Sequence, residues 1–259
     1  MNIWIILLVT FFAGMGAGLG TGFAGMSAAA VISPMLITFL GIEPYTAVGI
    51  ALASDVLASA VSAFTYGKNK NLDIKNGLLM MAMVLLFTIV GSYISSIVPA
   101  QTMGGFSTFM TLILGIKFIV KPVMTTKQEM EAVSKKRKIA GSILCGAFIG
   151  FICGFVGAGG GMMMLLILTS VLGYELKTAV GTSVFIMSFT ALTGAVSHFA
   201  IDGSPDWLVL GVCVASTLLW AQIGARFANK ADTKTLNRAT GLILVLLSCA
   251  VLAVEFFVK

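Results

Sequence analysis

Charge is what this sequence has least of. Of its 259 residues only 10% are charged, against 58% that are hydrophobic, and the mean hydropathy is +1.05. Soluble domains carry about 25% charged residues, so a soluble fold of this length would have too few to cover its surface. The same composition excludes disordered, collagenous and coiled-coil chains. Histidine occurs once. The four cysteines, Cys145, Cys153, Cys213 and Cys249, lie in apolar stretches with no CxxC spacing and read as buried small hydrophobes. No Walker A sequence is present, which excludes ATP hydrolysis within the chain. No metal-ligand cluster and no acid pair within a span is found, so neither a cofactor nor a metal is expected, nor is the chain expected to be an enzyme.

What remains is an all-α polytopic membrane protein with the lipid bilayer as its solvent. At about 20 residues per span the length accommodates about ten helical segments and leaves no room for a soluble domain. The amino-terminal stretch MNIWIILLVTFFAG has neither a basic n-region nor an A-x-A site and reads as the first span.

Self-comparison reveals a repeat. Gly22-Phe23-Ala24-Gly25 matches Gly154-Phe155-Val156-Gly157, Gly41-Ile42-Glu43 matches Gly173-Tyr174-Glu175, and Thr46-Ala47-Val48-Gly49 matches Thr178-Ala179-Val180-Gly181. All three pairs share one spacing, 154 − 22 = 132 residues. Downstream the register slips by one, pairing Asp73 with Asp206 and Gly91 with Gly224. The chain therefore reads as two copies of one unit, 1–121 and 139–259, joined by a basic linker over 122–138. Helices are predicted over 3–22, 27–40, 45–66, 76–97 and 103–121, then 139–155, 159–172, 177–199, 207–228 and 235–257. The second helix of each copy is too short for a bilayer core of about 30 Å and follows a Gly-rich break, which predicts a broken or partly inserted helix.

Equivalent loops carry opposite charge. Residues 67–75 hold Lys68, Lys70 and Lys75 against Asp73, whereas 200–206 hold Asp202 and Asp206 with no base. Residues 98–102 are uncharged, whereas their counterpart holds Arg226, Lys230 and Lys234 against Asp232. Short cytoplasmic loops collect Lys and Arg, so the copies are expected to be inverted relative to each other. The segment 117–138, with seven bases and two acids, is expected in the cytoplasm and both termini outside. Inverted repeats with midplane sites mark secondary transporters. The basic residues serve loops, so no nucleic-acid partner is expected.

The sharpest local feature is Gly154-Phe-Val-Gly-Ala-Gly-Gly-Gly161, five glycines in eight residues between apolar helices. Backbone groups freed there must line a cavity or pack on protein. At a helix start their N–H groups suit a small anion, although close packing through small residues is the alternative. Gly157, Gly159, Gly160 and Gly161 are thus candidate substrate contacts. Their equivalents in the first copy include Gly25 and Ser27, with Pro34 inside the short helix that follows. Thr182 and Ser183 supply hydroxyls that either line the site or bond their own helix. Asp55 is the one acid well inside a predicted span, and a carboxylate there implies coupling to H+ or Na+, charge selection along the path, or a hydrogen-bonded pair with Ser54 or Ser59. The single histidine, His198, is a candidate for substrate binding or pH sensing and otherwise a polar cap. Glu43 and Glu175 read as solvated helix starts, Trp4 and Trp207 as interfacial anchors, and Met162–Met164 as core filling.

In its second copy the pattern resembles the sulfite exporter TauE/SafE family of bacterial membrane transporters. The residues that carry the likeness are Gly159-Gly160-Gly161, Ala179-Val180-Gly181-Thr182-Ser183, His198, Gly203 through Asp206-Trp207, and Gly224-Ala225-Arg226. The first copy departs, with Gly25-Met26-Ser27-Ala28, Ile50-Ala51 and Tyr66 at the matching places. The resemblance implies a bacterial inner-membrane transporter of a small sulfur-containing anion such as sulfite or an organosulfonate, working by alternating access. A passive anion channel of the same fold is the alternative reading.

Overall fold

The computed structural model describes residues 3–95, 106–156, 160–202 and 205–257. Among them there is no strand. The helices are α1 (Ile3–Ala24), α2 (Ala29–Leu40), α3 (Pro44–Lys68), α4 (Ile74–Ser95), α5 (Phe106–Val120), α6 (Lys127–Ala132), α7 (Lys135–Val156), α8 (Gly160–Ser170), α9 (Leu176–Asp202), α10 (Trp207–Lys230) and α11 (Thr233–Phe257). Six of these, α1, α3, α4, α9, α10 and α11, are long and apolar enough to cross a membrane, and α2, α5 and α8 contain shorter apolar helices. Large apolar side chains such as Trp4, Phe64, Ile89 and Trp207 stand exposed where a soluble protein would place charge. The chain is a polytopic all-α membrane protein.

Two details depart from the sequence reading. A short helix, α6, forms within the linker because Thr126 and Glu129 make a reciprocal capping box, and α7 begins at Lys135, so that Lys135–Lys138 form its first turn. Cys249 is exposed on α11, not buried, and Cys145 and Cys153 are half-buried; Cys213 is buried as expected, and all four are free thiols. The methionines Met162–Met164 are buried in the core.

The short helices are as short as the sequence suggests. With 12 and 11 residues, α2 and α8 reach about 18 and 16 Å at 1.5 Å per residue. Gly41 closes α2 in the left-handed region at φ 62°, and its repeat equivalent Gly173 has φ 68° after α8.

Glycines seal the longest contacts. On α1, a Cβ at Gly14, Gly18 or Gly22 would lie 2.7 Å from Ser216 Cβ, 2.5 Å from Thr217 O or 2.6 Å from Ala221 O. Their repeat partners on α7 do the same against α4: a Cβ at Gly146 would lie 2.9 Å from Met80 O, and one at Gly150 would lie 2.4 Å from Val84 O. Small residues spaced by four let helix backbones approach this closely. In both pairs the numbers rise together, so α1 runs parallel to α10 and α7 runs parallel to α4. The equivalent helices α3 and α9 instead pack in opposite directions, with Gly49 against His198, Leu52 against Gly194 and Tyr66 against Gly181. Helices α5 and α11 also oppose each other, from Gly115 against Val245 to Ile119 against Gly241. Exchanging the two copies maps this pattern of pairs onto itself.

Candidate functional site

The first break, Gly25–Ala28, lies between α1 and α2, where helix geometry fails because Gly25 has φ 62°. A backbone opened at this depth needs partners other than water, and the sequence supplies them from four helices. Tyr66 on α3 donates its hydroxyl to Gly22 O at 2.9 Å, and Thr240 on α11 donates to Phe23 O at 3.2 Å. Ser183 on α9 donates to Gly25 O at 3.2 Å, and Thr21 on α1 donates to Met26 O at 2.8 Å. Four carbonyls released by one break are thereby matched by four hydroxyls, all on buried residues.

The N–H side of the same break meets a carboxylate. The N-cap residue of α2, Ala28, has no side chain to cap with, and the only local bond is a long one, from the Ala29 N–H to Ser27 Oγ at 3.4 Å. Instead the Ala28 N–H donates to Asp55 Oδ2 at 3.1 Å, and Ser59 donates its hydroxyl to Asp55 Oδ1 at 2.7 Å. Ser27 is a further hydrogen-bond partner of Asp55. Asp55 is 0% exposed and is the single charged side chain among the buried described residues. Of the two serines expected beside it, Ser59 bonds it, while Ser54 turns back to Ile50 O at 2.8 Å. Asp55, Ser59, Ser62 and Tyr66 recur at i, i+4, i+7 and i+11 and so form one buried polar stripe along α3. The Ser62 hydroxyl, 0% exposed, has no hydrogen-bond partner.

The second break comes up against the first. A Cβ on Gly161 would lie 2.5 Å from Gly25 O and 3.0 Å from Ser27 N, and one on Gly160 would lie 2.5 Å from Cys153 Sγ. The start of α8 therefore abuts the Gly25–Ser27 backbone, and neither glycine leaves space for a side chain. Gly157 and Gly159 lie outside the described residues.

The expected residues thus divide. Gly25, Ser27, Asp55, Gly161 and Ser183 converge on one buried place, with Gly160 beside it. Thr182 reaches elsewhere, accepting the Asp73 N–H at 3.2 Å at the start of α4, where Tyr174 also donates to Asp73 Oδ2 at 2.9 Å. Neither Thr182 nor Ser183 spends its hydroxyl on its own helix; each reaches the first copy. His198 sits 15 residues along α9 from Ser183, about 22 Å away at 1.5 Å per residue. Its ring stacks on Tyr45 with centroids 4.0 Å apart, and its Nδ1 lies 3.0 Å from Tyr45 O. A carbonyl can only accept, so Nδ1 carries the proton there. Glu43 caps α3 through Tyr45 N at 2.8 Å and Thr46 N at 3.0 Å, as its position suggests.

Thr21, Tyr66 and Thr240 were not legible as site residues in the sequence. Tyr66 stood out there only as the counterpart of His198. The signal that could have found it was the polar stripe it shares with Asp55.

A family model described as sulfite exporter TauE/SafE matches residues 10–251. The chain is 26% identical to the probable membrane transporter protein YunE of Bacillus subtilis, over 96% of this chain and 97% of that protein. It is 28% identical to the probable membrane transporter protein MJ0441 of Methanocaldococcus jannaschii, over 76% and 73% of the two chains. A second Bacillus subtilis protein, the probable membrane transporter YdhB, is 22% identical over 87% of this chain and 90% of its own length.

Proposed function

The chain belongs to the sulfite exporter TauE/SafE family of membrane transporters, and we propose that it is a secondary transporter of a small anion, an organosulfonate or a sulfur oxyanion such as sulfite. The observation that carries this reading is the meeting of two helix starts at one buried break. The N–H groups of a helix start attract negative charge. At the start of α2 a carboxylate already sits on one of them, an anion supplied by the chain itself. The start of α8, against Gly25 and Ser27, is the equivalent place for the transported anion, with Ser27 and Ser183 as neighbouring hydroxyls.

The opposed directions of α3 and α9, and of α5 and α11, support an inverted repeat. In that reading alternating access arises as one copy moves against the other about the break. Asp55 is our candidate for the coupling ion, H+ or Na+. The basic turn Lys135–Lys138 and the linker before it lie in the cytoplasm, both termini lie outside, and the membrane is the bacterial inner (plasma) membrane. Thr182 and His198, at opposite ends of α9, act on the paths to the site.

Two measurements test the proposal. Purified protein is heated with sulfite, thiosulfate, sulfonates, carboxylates and sulfate in turn; the transported class raises the melting temperature because it binds the folded state. No response to any anion overturns the reading. Proteoliposomes with an imposed proton or sodium gradient are then expected to concentrate the responding anion, and simple equilibration would instead indicate a passive channel.

A further inference from the structure

The two oxygens of the buried carboxylate have different partners. Asp55 Oδ2 accepts the Ala28 N–H at 3.1 Å and closes the start of α2, while Oδ1 accepts the Ser59 hydroxyl at 2.7 Å. Ser27 is a further partner. Among the described residues no base bonds Asp55. Of the helices packed against α3, α1 and α2 have no titratable side chain. Helix α9 has Lys177, held at Asn229 O, His198, held at Tyr45 O near the start of α3, and Asp202 at its end. Helix α10 has Cys213, turned to Thr10 O, and the exposed Arg226 and Lys230. On α3 itself Tyr45 lies near the start, and Tyr66 and Lys68 near the end.

We infer that the coupling ion is a proton, carried on Asp55 Oδ1 and delivered along α3 through Ser62 and Ser59. The inference rests on the coupling role given to Asp55 above. A hard cation needs a shell of oxygen acceptors. Asp55 instead meets donors, and the carbonyls of Gly22, Phe23, Gly25 and Met26 at the same break already accept hydroxyls. A proton needs a single oxygen. When it joins Oδ1, the new O–H donates to Ser59 Oγ, and the Ser59 hydroxyl turns to Asp55 O one helical turn back. Ser54 makes a bond of that kind, to Ile50 O at 2.8 Å. Oδ2 keeps the Ala28 N–H, so α2 stays capped in both forms. Beyond Ser59, Ser62 and Tyr66 follow at successive turns toward the end of α3, and the Ser62 hydroxyl is buried without a partner. Neighbours at this spacing have Cβ atoms about 5–6 Å apart, close enough for one water to join their hydroxyls. An uncommitted hydroxyl takes a proton from one neighbour and gives its own to the next. The repeat places the buried Met187 at the position of Asp55, so the second copy has no equivalent carrier.

The test is infrared titration of the full-length protein in sodium-free buffer, reading the C=O stretch of a protonated carboxyl shielded from water. Wild-type protein is expected to gain this band as pH falls. Asp55→Asn, whose amide reproduces the protonated geometry, is expected to lack it. Ser59→Ala is expected to move the band to higher frequency because the Oδ1–H loses its acceptor, which identifies the band if Asp55→Asn does not fold. Replacing choline chloride with sodium chloride should leave the midpoint in place. After a pH jump, Ser62→Ala is expected to gain the band about tenfold more slowly, with its midpoint unchanged. A midpoint that falls by about one pH unit for each tenfold rise in sodium overturns the proton and leaves the coupling role intact. An unmoved band in Ser59→Ala overturns Oδ1 as the carrier, and an unchanged rate in Ser62→Ala overturns the path. Absence of both the Asp55 band and a sodium response overturns coupling at Asp55 altogether.

Discussion

The two breaks share a Gly-Phe-x-Gly pattern at a spacing of 132 residues and are finished in different ways. The first is completed by side chains, with four hydroxyls on its carbonyls and a carboxylate on its N–H group. The second, where it is described, is completed by proximity, since Gly160 and Gly161 have no side chain and press against Cys153 and the first break. A membrane interior requires each freed backbone group to find a partner, and at the first break those partners are side chains. The side-chain solution fixes the first break in place.

The comparison breaks most severely at Gly161. Gly161→Ala drives a methyl group to 2.5 Å from Gly25 O, a backbone atom that cannot swing aside. We expect a loss of about 3 kcal/mol, at the upper end for overpacking, and loss of transport, read by denaturant titration in detergent and by uptake. Gly211→Ala on α10, where nothing lies within 4 Å, is the control and is expected to leave both unchanged.

Removing the carboxylate comes next. Asp55→Ala leaves the Ala28 N–H and the Ser59 hydroxyl buried without an acceptor, at about 1–3 kcal/mol for each group. Met187→Leu, at the same place in the second copy, costs less than about 1.5 kcal/mol as a volume-conserving swap. Equal stability losses for the two variants, measured by the same titration, would erase the distinction between the copies.

Single hydroxyls have smaller effects. Ser183→Ala and Thr240→Val each leave one break carbonyl unpaired and are expected to cost about 1 kcal/mol. Because both act on the same short segment, their effects should not add, and a double-mutant cycle reads the coupling. Strict additivity would mean that the four carbonyls are held independently.

The smallest effect belongs to an acid cap in water. Hydrogen bonds from the Thr126 N–H, and then from its hydroxyl, hold the Glu129 carboxyl below its usual range. Its contribution to α6 is therefore fully present above the ordinary carboxylate pKa and is lost as pH falls through the lowered value. Hydrogen exchange at the Met130 amide, corrected for its intrinsic rate, should quicken on that acid side while the core amides of α3 keep their protection. The contrast with Asp55 separates a cap that water can replace from one that it cannot.

Much of this arrangement is visible in the sequence because lipid permits few solutions. Apolar run length fixes the helices to within a few residues, and the repeat pairs α1 with α7, α3 with α9 and α2 with α8 as counterparts. The glycine-rich breaks announce themselves by composition. Other features depend on contacts between distant segments. Nothing local in Thr240 says that it will meet Phe23 O, and Thr182 and Ser183 are adjacent in sequence yet serve different ends of the first copy, because successive residues on a helix point about 100° apart. His198 shares a family-like pattern with Ser183, but helix length alone holds the two apart. Helix α6 was within reach, since Thr126-x-x-Glu129 has the spacing of a capping box.

The bond between Thr240 and Phe23 O closes a loop of 217 residues. At synthesis rates of about 5–20 residues per second, the Phe23 carbonyl waits roughly 10–40 s after it is made before its donor exists. During that interval the first break has entered the membrane without all of its partners, and α2 gains its cap only when Asp55 follows on α3. The first copy is therefore an unfinished object until the last helix arrives. Biogenesis must shelter it from lipid, by the insertion machinery or by water, until the end of the chain has been made.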